Sequence, residues 1–155
     1  MLNRVLAAIL AAAVLGTLAA GTNVFGYQPA DSRRYINPRT SADTAAPFSG
    51  AVFAGNTLYL AGEIGTDAGN RVPDSPEAEA KAVLDKVQAR LKSAGLTMDD
   101  LVSVQVFCSD VKYYDAFNGV YRGYFTKEYP ARAVIGVGTL LYNARFEVQG
   151  IAVKR

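Results

Sequence analysis

Two side chains near the C-terminus, Arg132 and Glu147, have types and a spacing suited to acid–base chemistry on a small anion. Arg132 opens one apolar run, and Glu147 lies in a second run fifteen residues later. A hairpin centred near Thr139 and Leu140 would place the two side chains opposite each other, because they are equally distant from that centre. A guanidinium can hold a carboxylate through two parallel hydrogen bonds, and a nearby carboxyl can move a proton. The pattern therefore predicts one site that binds a small acid and transfers protons.

Five strands and two helices are predicted to position these side chains. Alternating apolar residues indicate strands, and a period near 3.6 indicates helices. We expect both helices to cover one face of the sheet, in an α+β arrangement. In chain order the predicted elements are strands at 48–53 and 57–61, a helix at 76–94, a strand at 101–108, a helix at 110–125, and strands at 132–137 and 145–153.

Capping residues mark the ends of the first helix, and two glycines lower the helix propensity of the second. Ser75 can cap the first helix, Pro76 suits its first position, and Gly95 suits the left-handed exit. Gly119 and Gly123 each cost about 1 kcal/mol relative to alanine in a helix interior. We therefore expect the second helix to approach the sheet or another subunit closely at these glycines, and to lie near the binding cleft.

Composition excludes several classes of site. The chain has 155 residues, half of them apolar, which suits one domain, and its formal charge of +2 indicates no nucleic-acid or other polyanionic partner. It contains no histidine, which excludes Ser-His-Asp and Cys-His nucleophile pairs and the commonest zinc sites. Cys108 is the only cysteine, so no internal disulfide can form, and its place at a strand end favours a buried apolar filler over a reactive thiol.

The N-terminal segment is typical of a targeting element. Residues 1–21 combine Arg4 with an apolar run from Val5 to Ala20, which predicts a signal peptide, cleaved before Thr22, or a retained membrane anchor. Residues 22–45 are polar and rich in turn formers, as in a linker or extension. The globular domain is predicted at 46–155. We expect a periplasmic location, with anchoring in the inner membrane as the alternative.

Several short segments stand out between residue 46 and the end of the chain. They are Ala46-Pro47-Phe48-Ser49, Leu60-Ala61-Gly62-Glu63-Ile64, Ala94-Gly95-Leu96, Phe117-Asn118-Gly119-Val120-Tyr121, Pro130-Ala131-Arg132 with the step to Glu147, and Gly150-Ile151-Ala152-Val153. In residue type, order and spacing these segments resemble the reactive-intermediate deaminase (RidA, also called YjgF) family.

The resemblance implies a chorismate-mutase-like fold, a homotrimer with ligand clefts between subunits, and hydrolysis of small 2-imino acids or their enamines to 2-keto acids and ammonia. It implies Glu147 as the catalytic residue. Substrate-binding roles fall to Arg132, Asn118, Phe48 and Gly62. No metal and no organic cofactor is implied, and membrane contact is expected only through residues 1–21.

Two features of the sequence keep a second function open. Phe48 stands where deaminating relatives commonly have a tyrosine, and Ala61 stands where they have a serine, so hydrogen-bonding groups are lost. Glu63 replaces a glutamine and brings a second acid near the predicted site. The alternative is a non-catalytic module on the same trimeric fold that binds a carboxylate metabolite or serves in envelope assembly. For Arg132 and Glu147 themselves, a purely structural interpretation also stays open, an ion pair at the surface or between subunits.

Overall fold

The computed structural model describes residues 33–36 and 47–155. The predicted targeting segment and most of the predicted linker lie outside these residues. Within the described residues, no helix is both long and apolar enough to cross a membrane. The strands are β1 (Arg33–Ile36), β2 (Ala51–Ala54), β3 (Thr57–Leu60), β4 (Glu63–Ile64), β5 (Leu101–Cys108), β6 (Ala131–Gly136) and β7 (Phe146–Val153), and the α-helices are α1 (Pro76–Ser93) and α2 (Tyr114–Tyr121).

The strands form one mixed sheet in the order β1-β2-β3-β7-β5-β6, with β4 also paired to β7. Only β5 and β6 run parallel. The chain crosses from β5 to β6 through α2, since parallel neighbours need a long connection. Strand β1 lies in the segment that sequence patterns predict as linker, and it pairs antiparallel with β2 at the sheet edge.

The predicted hairpin between the last two strands is wrong. Strand β5 lies between β6 and β7, so Arg132 pairs with Val104 while Glu147 pairs with Phe107. Residues opposite each other on neighbouring strands share a sheet face. Val104 is buried beneath the helices, whereas Phe107 lies on the other face, where it is partly exposed. Arg132 and Glu147 therefore point to opposite sides of the sheet.

Helix α1 begins and ends as its sequence predicts. The Ser75 hydroxyl accepts a hydrogen bond from the Ala78 amide at 3.1 Å, and Gly95 follows the helix with a φ of 80°. Both helices pack on one face of the sheet, where the core is formed by the buried side chains of Phe53, Leu58, Val83, Leu84, Leu91, Val104, Val106, Phe117, Phe146 and Val148. The α+β prediction with two helices on one face is confirmed.

Cys108 is fully buried in this core, and its thiol donates to the Asp110 carbonyl at 3.0 Å. Burial raises the pKa of the thiol above its usual range. A buried thiol with a raised pKa is a poor nucleophile. Cys108 thus fills space in the core, as its position in the strand indicates.

The second helix is shorter than predicted and is flanked by 3-10 turns at Val111–Tyr113 and Arg122–Tyr124. Gly119 in this helix and Gly123 in the turn after it do not pack closely against other described residues. A Cβ atom added at Gly119 or Gly123 would meet no other heavy atom of the described residues within 4 Å. The expected close approach to the sheet is therefore wrong, and the alternative, a close approach to another subunit, stays a prediction.

No described element covers the second face of the sheet. Tyr59 and Ile135 are exposed on this face, and near its centre the Gln149 amide donates to the Gln105 side-chain oxygen at 2.6 Å. The face thus combines partly exposed apolar side chains with a paired polar centre. The face is therefore available for contact with another surface.

Candidate functional site

Arg132 lies on the helix face of the edge strand β6, where α2 holds its guanidinium. The Nη2 atom donates to Asn118 Oδ1 at 2.6 Å, and the Cζ atom lies 4.5 Å from the ring centroid of Tyr121. These groups line a cleft of about 270 Å³, here called the Arg132 cleft, formed by Tyr114, Asn118, Tyr121, Arg122, Tyr129, Pro130 and Arg132. The structure therefore brings together two of the five predicted site residues, Arg132 and Asn118.

The Arg132 cleft contains donors that the protomer leaves unpaired. The Nη1 atom of Arg132 and the hydroxyl of Tyr121 are enclosed and have no hydrogen-bond partner among the described residues. Burial raises the pKa of Tyr121 to about 12, although the neighbouring Arg132 lowers it. The hydroxyl therefore stays neutral and keeps its proton at ordinary pH. Because buried polar groups are normally hydrogen-bonded, these donors suit an acceptor such as an anion.

Backbone contacts fix the segment that leads into β6. The Asp99 carboxylate accepts from the Thr126 amide at 2.9 Å and from the Lys127 amide at 3.3 Å. The Thr126 hydroxyl also donates to this carboxylate. These bonds tie the end of the α2 crossover to the turn before β5, and so set where β6 begins.

The other three predicted residues line a second cleft on the far side of the sheet. This Glu147 cleft has a volume of about 480 Å³ and is formed by Phe48, Ala61, Gly62, Ile64, Thr66, Lys86, Leu141, Tyr142 and Glu147. A Cβ atom at Gly62 would overlap the Glu147 carboxylate. Glycine at this position lets the carboxylate lie directly over the backbone, whereas a larger residue would displace it.

The strand that carries Glu147 is anchored to α1 by a buried carboxylate. Glu79 is fully buried, and it accepts hydrogen bonds from the Arg145 amide at 2.6 Å and the Phe146 amide at 3.1 Å. Its carboxylate also pairs with Arg145 Nη1 at 2.7 Å, and this hydrogen bond raises the pKa of Arg145. Glu79 thus fixes the two residues that directly precede Glu147.

Glu63 does not bring a second acid into the Glu147 cleft. It pairs with Val148 in the sheet, and Val148 is buried on the helix face. The Glu63 carboxylate accepts from Arg90 Nη2 at 2.7 Å and Arg90 Nε at 2.9 Å. Its charge is therefore neutralised by α1, on the opposite side of the sheet from Glu147.

Sequence reasoning missed four residues of the Glu147 cleft, Thr66, Lys86, Leu141 and Tyr142. The Lys86 ammonium donates to the Ile64 carbonyl at 2.8 Å and to the Thr66 hydroxyl at 3.1 Å. Tyr142 has a φ of 60° and is followed by Asn143 with a φ of 56°. A left-handed conformation costs a bulky residue about 1–2 kcal/mol. The apolar run Leu140-Leu141-Tyr142, inside a predicted connection, is the signal that could have indicated Tyr142.

One protomer therefore contains two separate clefts. One holds a positively charged group with spare donors, and the other holds a carboxylate that forms no ion pair within the described residues. No group of three or more potential metal ligands occurs in residues 33–36 and 47–155. Together the clefts could grip a small anion and direct a water at it, but neither contains both groups.

Comparison with known proteins gives a consistent result. Residues 39–154 match a family model described as Endoribonuclease L-PSP. A goat (Capra hircus) protein named 2-iminobutanoate/2-iminopropanoate deaminase is 35% identical over 124 residues, which cover 79% of this chain and 90% of that protein. The crystal structure of yeast Mmf1 matches with a TM-score of 0.71 at 31% identity, over 80% of this chain and 100% of that chain. The YjgF gene product of E. coli matches with a TM-score of 0.70 at 29% identity, over 79% and 99%.

Proposed function

This chain belongs to the RidA (YjgF) family, and on that premise we propose that it hydrolyses small 2-imino acids and their enamine tautomers to 2-keto acids and ammonia. Relatives at 32–35% identity carry the name of this activity. The observation that carries the proposal is the presence of two incomplete and complementary clefts. One supplies a guanidinium with a donor that has no partner among the described residues, and the other supplies a carboxylate that lies over Gly62.

The two clefts complement each other if copies of the chain assemble so that the Arg132 cleft of one protomer faces the Glu147 cleft of its neighbour. The uncovered face of the sheet, with its exposed Tyr59 and Ile135, supports such an assembly. A cyclic homotrimer repeats one heterologous contact three times and closes on itself. We propose a homotrimer with three shared sites.

In the shared site, each residue has a separate task. Arg132 holds the substrate carboxylate, and Asn118 fixes the direction of the guanidinium through its 2.6 Å hydrogen bond. Glu147 accepts a proton from a water as the water oxygen bonds to C2, and the electron pair of the C=N bond moves to nitrogen. Glu147 passes this proton to that nitrogen, which gives a carbinolamine. Glu147 then takes the remaining proton of the added oxygen as the C=O bond forms and delivers it to the amine, and the C–N bond breaks to release ammonia and the keto acid.

The energetic demand on this site is modest. Imine hydrolysis proceeds readily in water, so the protein needs to lower the barrier by only about a few kcal/mol. Orientation of the substrate and one well-placed proton carrier are sufficient for such a gain. Water is the only co-reactant in this route, which uses neither a metal nor an organic cofactor.

The proposed location is the periplasm, through the targeting segment predicted at residues 1–21. Imines at this location would come from oxidation of amino acids or amines in the cell envelope. Hydrolysis would then complete that oxidation and remove a reactive product. Fractionation of the cell envelope with N-terminal sequencing tests the location and the cleavage.

Phe48 favours the alternative function, a binding module without catalysis. Its side chain is 61% exposed in the Glu147 cleft and offers no hydrogen-bonding group to a water or a ligand. Such a module would hold a carboxylate metabolite at Arg132 and leave it unchanged. The two functions differ in one measurable property, because only the deaminase removes an imine.

Subunit mixing tests the proposed function and the shared site together. An amino-acid oxidase generates 2-iminopropanoate from alanine, and semicarbazide traps the imine that the protein does not hydrolyse. Arg132→Ala and Glu147→Gln should each be inactive alone. After co-refolding in equal amounts, about a quarter of the shared sites combine an intact Arg132 with an intact Glu147, so about a quarter of wild-type activity should return.

The controls are each variant refolded alone and the wild type refolded in parallel. A mixture without activity, beside an active wild type, would show that the two residues do not act across subunits. An inert wild type whose melting temperature is raised by pyruvate, while that of Arg132→Ala is not, would establish the binding module instead.

A further inference from the structure

Three large side chains are exposed around the Glu147 cleft. Phe48 is 61% exposed, Leu141 is 69% exposed and Tyr142 is 51% exposed. All three line the same cleft as Glu147, together with the apolar side chains of Ala61 and Ile64. Apolar groups gathered in a concave site with a few polar groups are typical of a small-molecule pocket. The wall of the cleft is thus suited to an apolar ligand group.

The backbone places Tyr142 in this wall against its conformational preference. Its φ of 60° and ψ of 20° lie in the left-handed region, which glycine and asparagine accept far more readily than tyrosine. Asn143, with a φ of 56°, is a residue type that suits this region. Strained backbone is concentrated at functional sites, because elsewhere it is replaced by an unstrained residue. A role for the ring in the cleft would account for a tyrosine at this position.

The size of the cleft exceeds what a three- or four-carbon imino acid needs. Its volume of about 480 Å³ lies within the range of about 300–1,000 Å³ that is typical of pockets for much larger ligands. The carboxylate of the substrate would lie at Arg132 of the neighbouring protomer, and its reacting carbon near Glu147. The part of the remaining space that the neighbouring protomer leaves open, beside Phe48, Leu141 and Tyr142, then takes the substrate side chain.

Lys86 is the only cation that lines the Glu147 cleft among the described residues. Two of its ammonium hydrogens are directed to the Ile64 carbonyl and the Thr66 hydroxyl. These bonds hold the charge at the end of β4 and leave one donor. Apolar side chains therefore outnumber free polar donors in the space next to Glu147.

We propose that the Glu147 cleft selects 2-imino acids with a large apolar side chain, and that Tyr142 is a specificity-determining residue. This inference rests on the proposed function and adds the substrate class to it. The side chain of a leucine- or phenylalanine-derived imine would pack against Phe48, Leu141 and Tyr142. Its burial removes apolar surface of both ligand and protein from water.

The test compares imines of different side chains with the full-length wild-type protein. Amino-acid oxidases generate the imines of alanine, leucine, phenylalanine and glutamate, and competition with semicarbazide gives a relative kcat/KM for each. We expect the leucine and phenylalanine imines to be hydrolysed about tenfold more efficiently than the alanine imine, since each buried methylene contributes to discrimination.

Tyr142→Asn removes the ring with a residue that accepts the same backbone conformation. The ratio of leucine-imine to alanine-imine efficiency should fall about fivefold or more in this variant. Val111→Asn is the matched control, because Val111 is 65% exposed and lies outside both clefts, and it should keep the wild-type ratio.

The outcomes separate this inference from the proposed function. Hydrolysis with no preference for the larger imines, or with a ratio that Tyr142→Asn leaves unchanged, overturns the inference alone. A preference for the glutamate imine also overturns it and assigns specificity to Lys86. A wild type that hydrolyses none of the imines overturns the proposed function, and the inference falls with it.

Discussion

The Arg132 cleft and the Glu147 cleft are organised in different ways. In the first, the functional side chain is held by its neighbours, since Asn118 bonds the guanidinium and Tyr121 stacks beneath it. In the second, hydrogen bonds hold the backbone, and the Glu147 side chain has no ion pair within the described residues. Glu79 fixes the residues before Glu147, while the Glu147 carboxylate has only the open space over Gly62.

The difference matches the tasks that we propose for the two clefts. A group that recognises an anion benefits from a fixed direction, because orientation lowers the entropy lost on binding. A group that accepts and returns a proton has to reach first a water and then a nitrogen. Freedom of the Glu147 side chain on a fixed strand suits such a transfer.

The largest expected effect comes from removing the support of the Glu147 strand. Glu79→Ala leaves Arg145 without its partner and two amides without an acceptor, so the free energy of unfolding should fall by about 3–5 kcal/mol. Urea denaturation at fixed protein concentration measures this change in the free energy of unfolding. Glu77→Ala, at an exposed position of the same helical turn, should change stability by about 0.5 kcal/mol or less. Equal losses would mean that Glu79 does not anchor β7.

A smaller effect tests the packing of the Arg132 cleft. Burial raises the pKa of Tyr121 to about 12 from an ordinary value of 10.0, so its folded state holds the proton more tightly than its unfolded state. The resulting stability is complete below pH 10 and is lost as the pH rises toward 12. Tyr121→Phe should reduce this alkaline loss by about 1–2 kcal/mol.

Denaturant titrations at pH 9, 10, 11 and 12 measure the alkaline loss for both proteins. Burial also raises the pKa of Tyr124, so both proteins share any alkaline loss that Tyr124 causes. The difference between wild type and Tyr121→Phe therefore reports Tyr121 alone. If the free energy of unfolding depends on pH in the same way in wild type and variant, the Tyr121 hydroxyl is not enclosed. The Arg132 cleft would then not be the more rigidly held of the two clefts.

The smallest expected effects come from one substitution made at two glycines. Gly62→Ala places a methyl group where the Glu147 carboxylate lies, so the flexible carboxylate should shift and kcat/KM should fall about tenfold with little loss of stability. Gly119→Ala meets open space on α2 and should stabilise the protein by about 0.5–1 kcal/mol. A destabilised Gly119→Ala variant would indicate that a neighbouring copy packs on α2.

Local chemistry made much of the fold predictable from sequence. Ser75, Pro76 and Gly95 mark α1 because capping and left-handed exits depend on a few adjacent residues. The alternation in Leu101–Cys108 indicates β5 for the same reason. Arg132 and Asn118 were both assigned to one site, and the structure brings them into contact.

The relation between Arg132 and Glu147 could not be predicted, because strand order is a long-range property. The apolar pattern of β6 and β7 is compatible with a hairpin, and nothing within it shows that β5 inserts between them. The insertion moves the two side chains to opposite faces, since each takes its face from its partner on β5. Tyr142 was missed because its backbone conformation is one that tyrosine seldom adopts.

Strand β6 is an edge strand, and this affects how many neighbours a change in its path would disturb. Strand β7 is bonded on both sides, so a change in its path disturbs β3, β4 and β5 together. Strand β6 is bonded to β5 alone within the described residues, and a change there disturbs one neighbour. A substitution that shifts β6 therefore disturbs fewer paired strands than one that shifts β7, so the strand with the guanidinium tolerates such shifts better than the strand with the carboxylate.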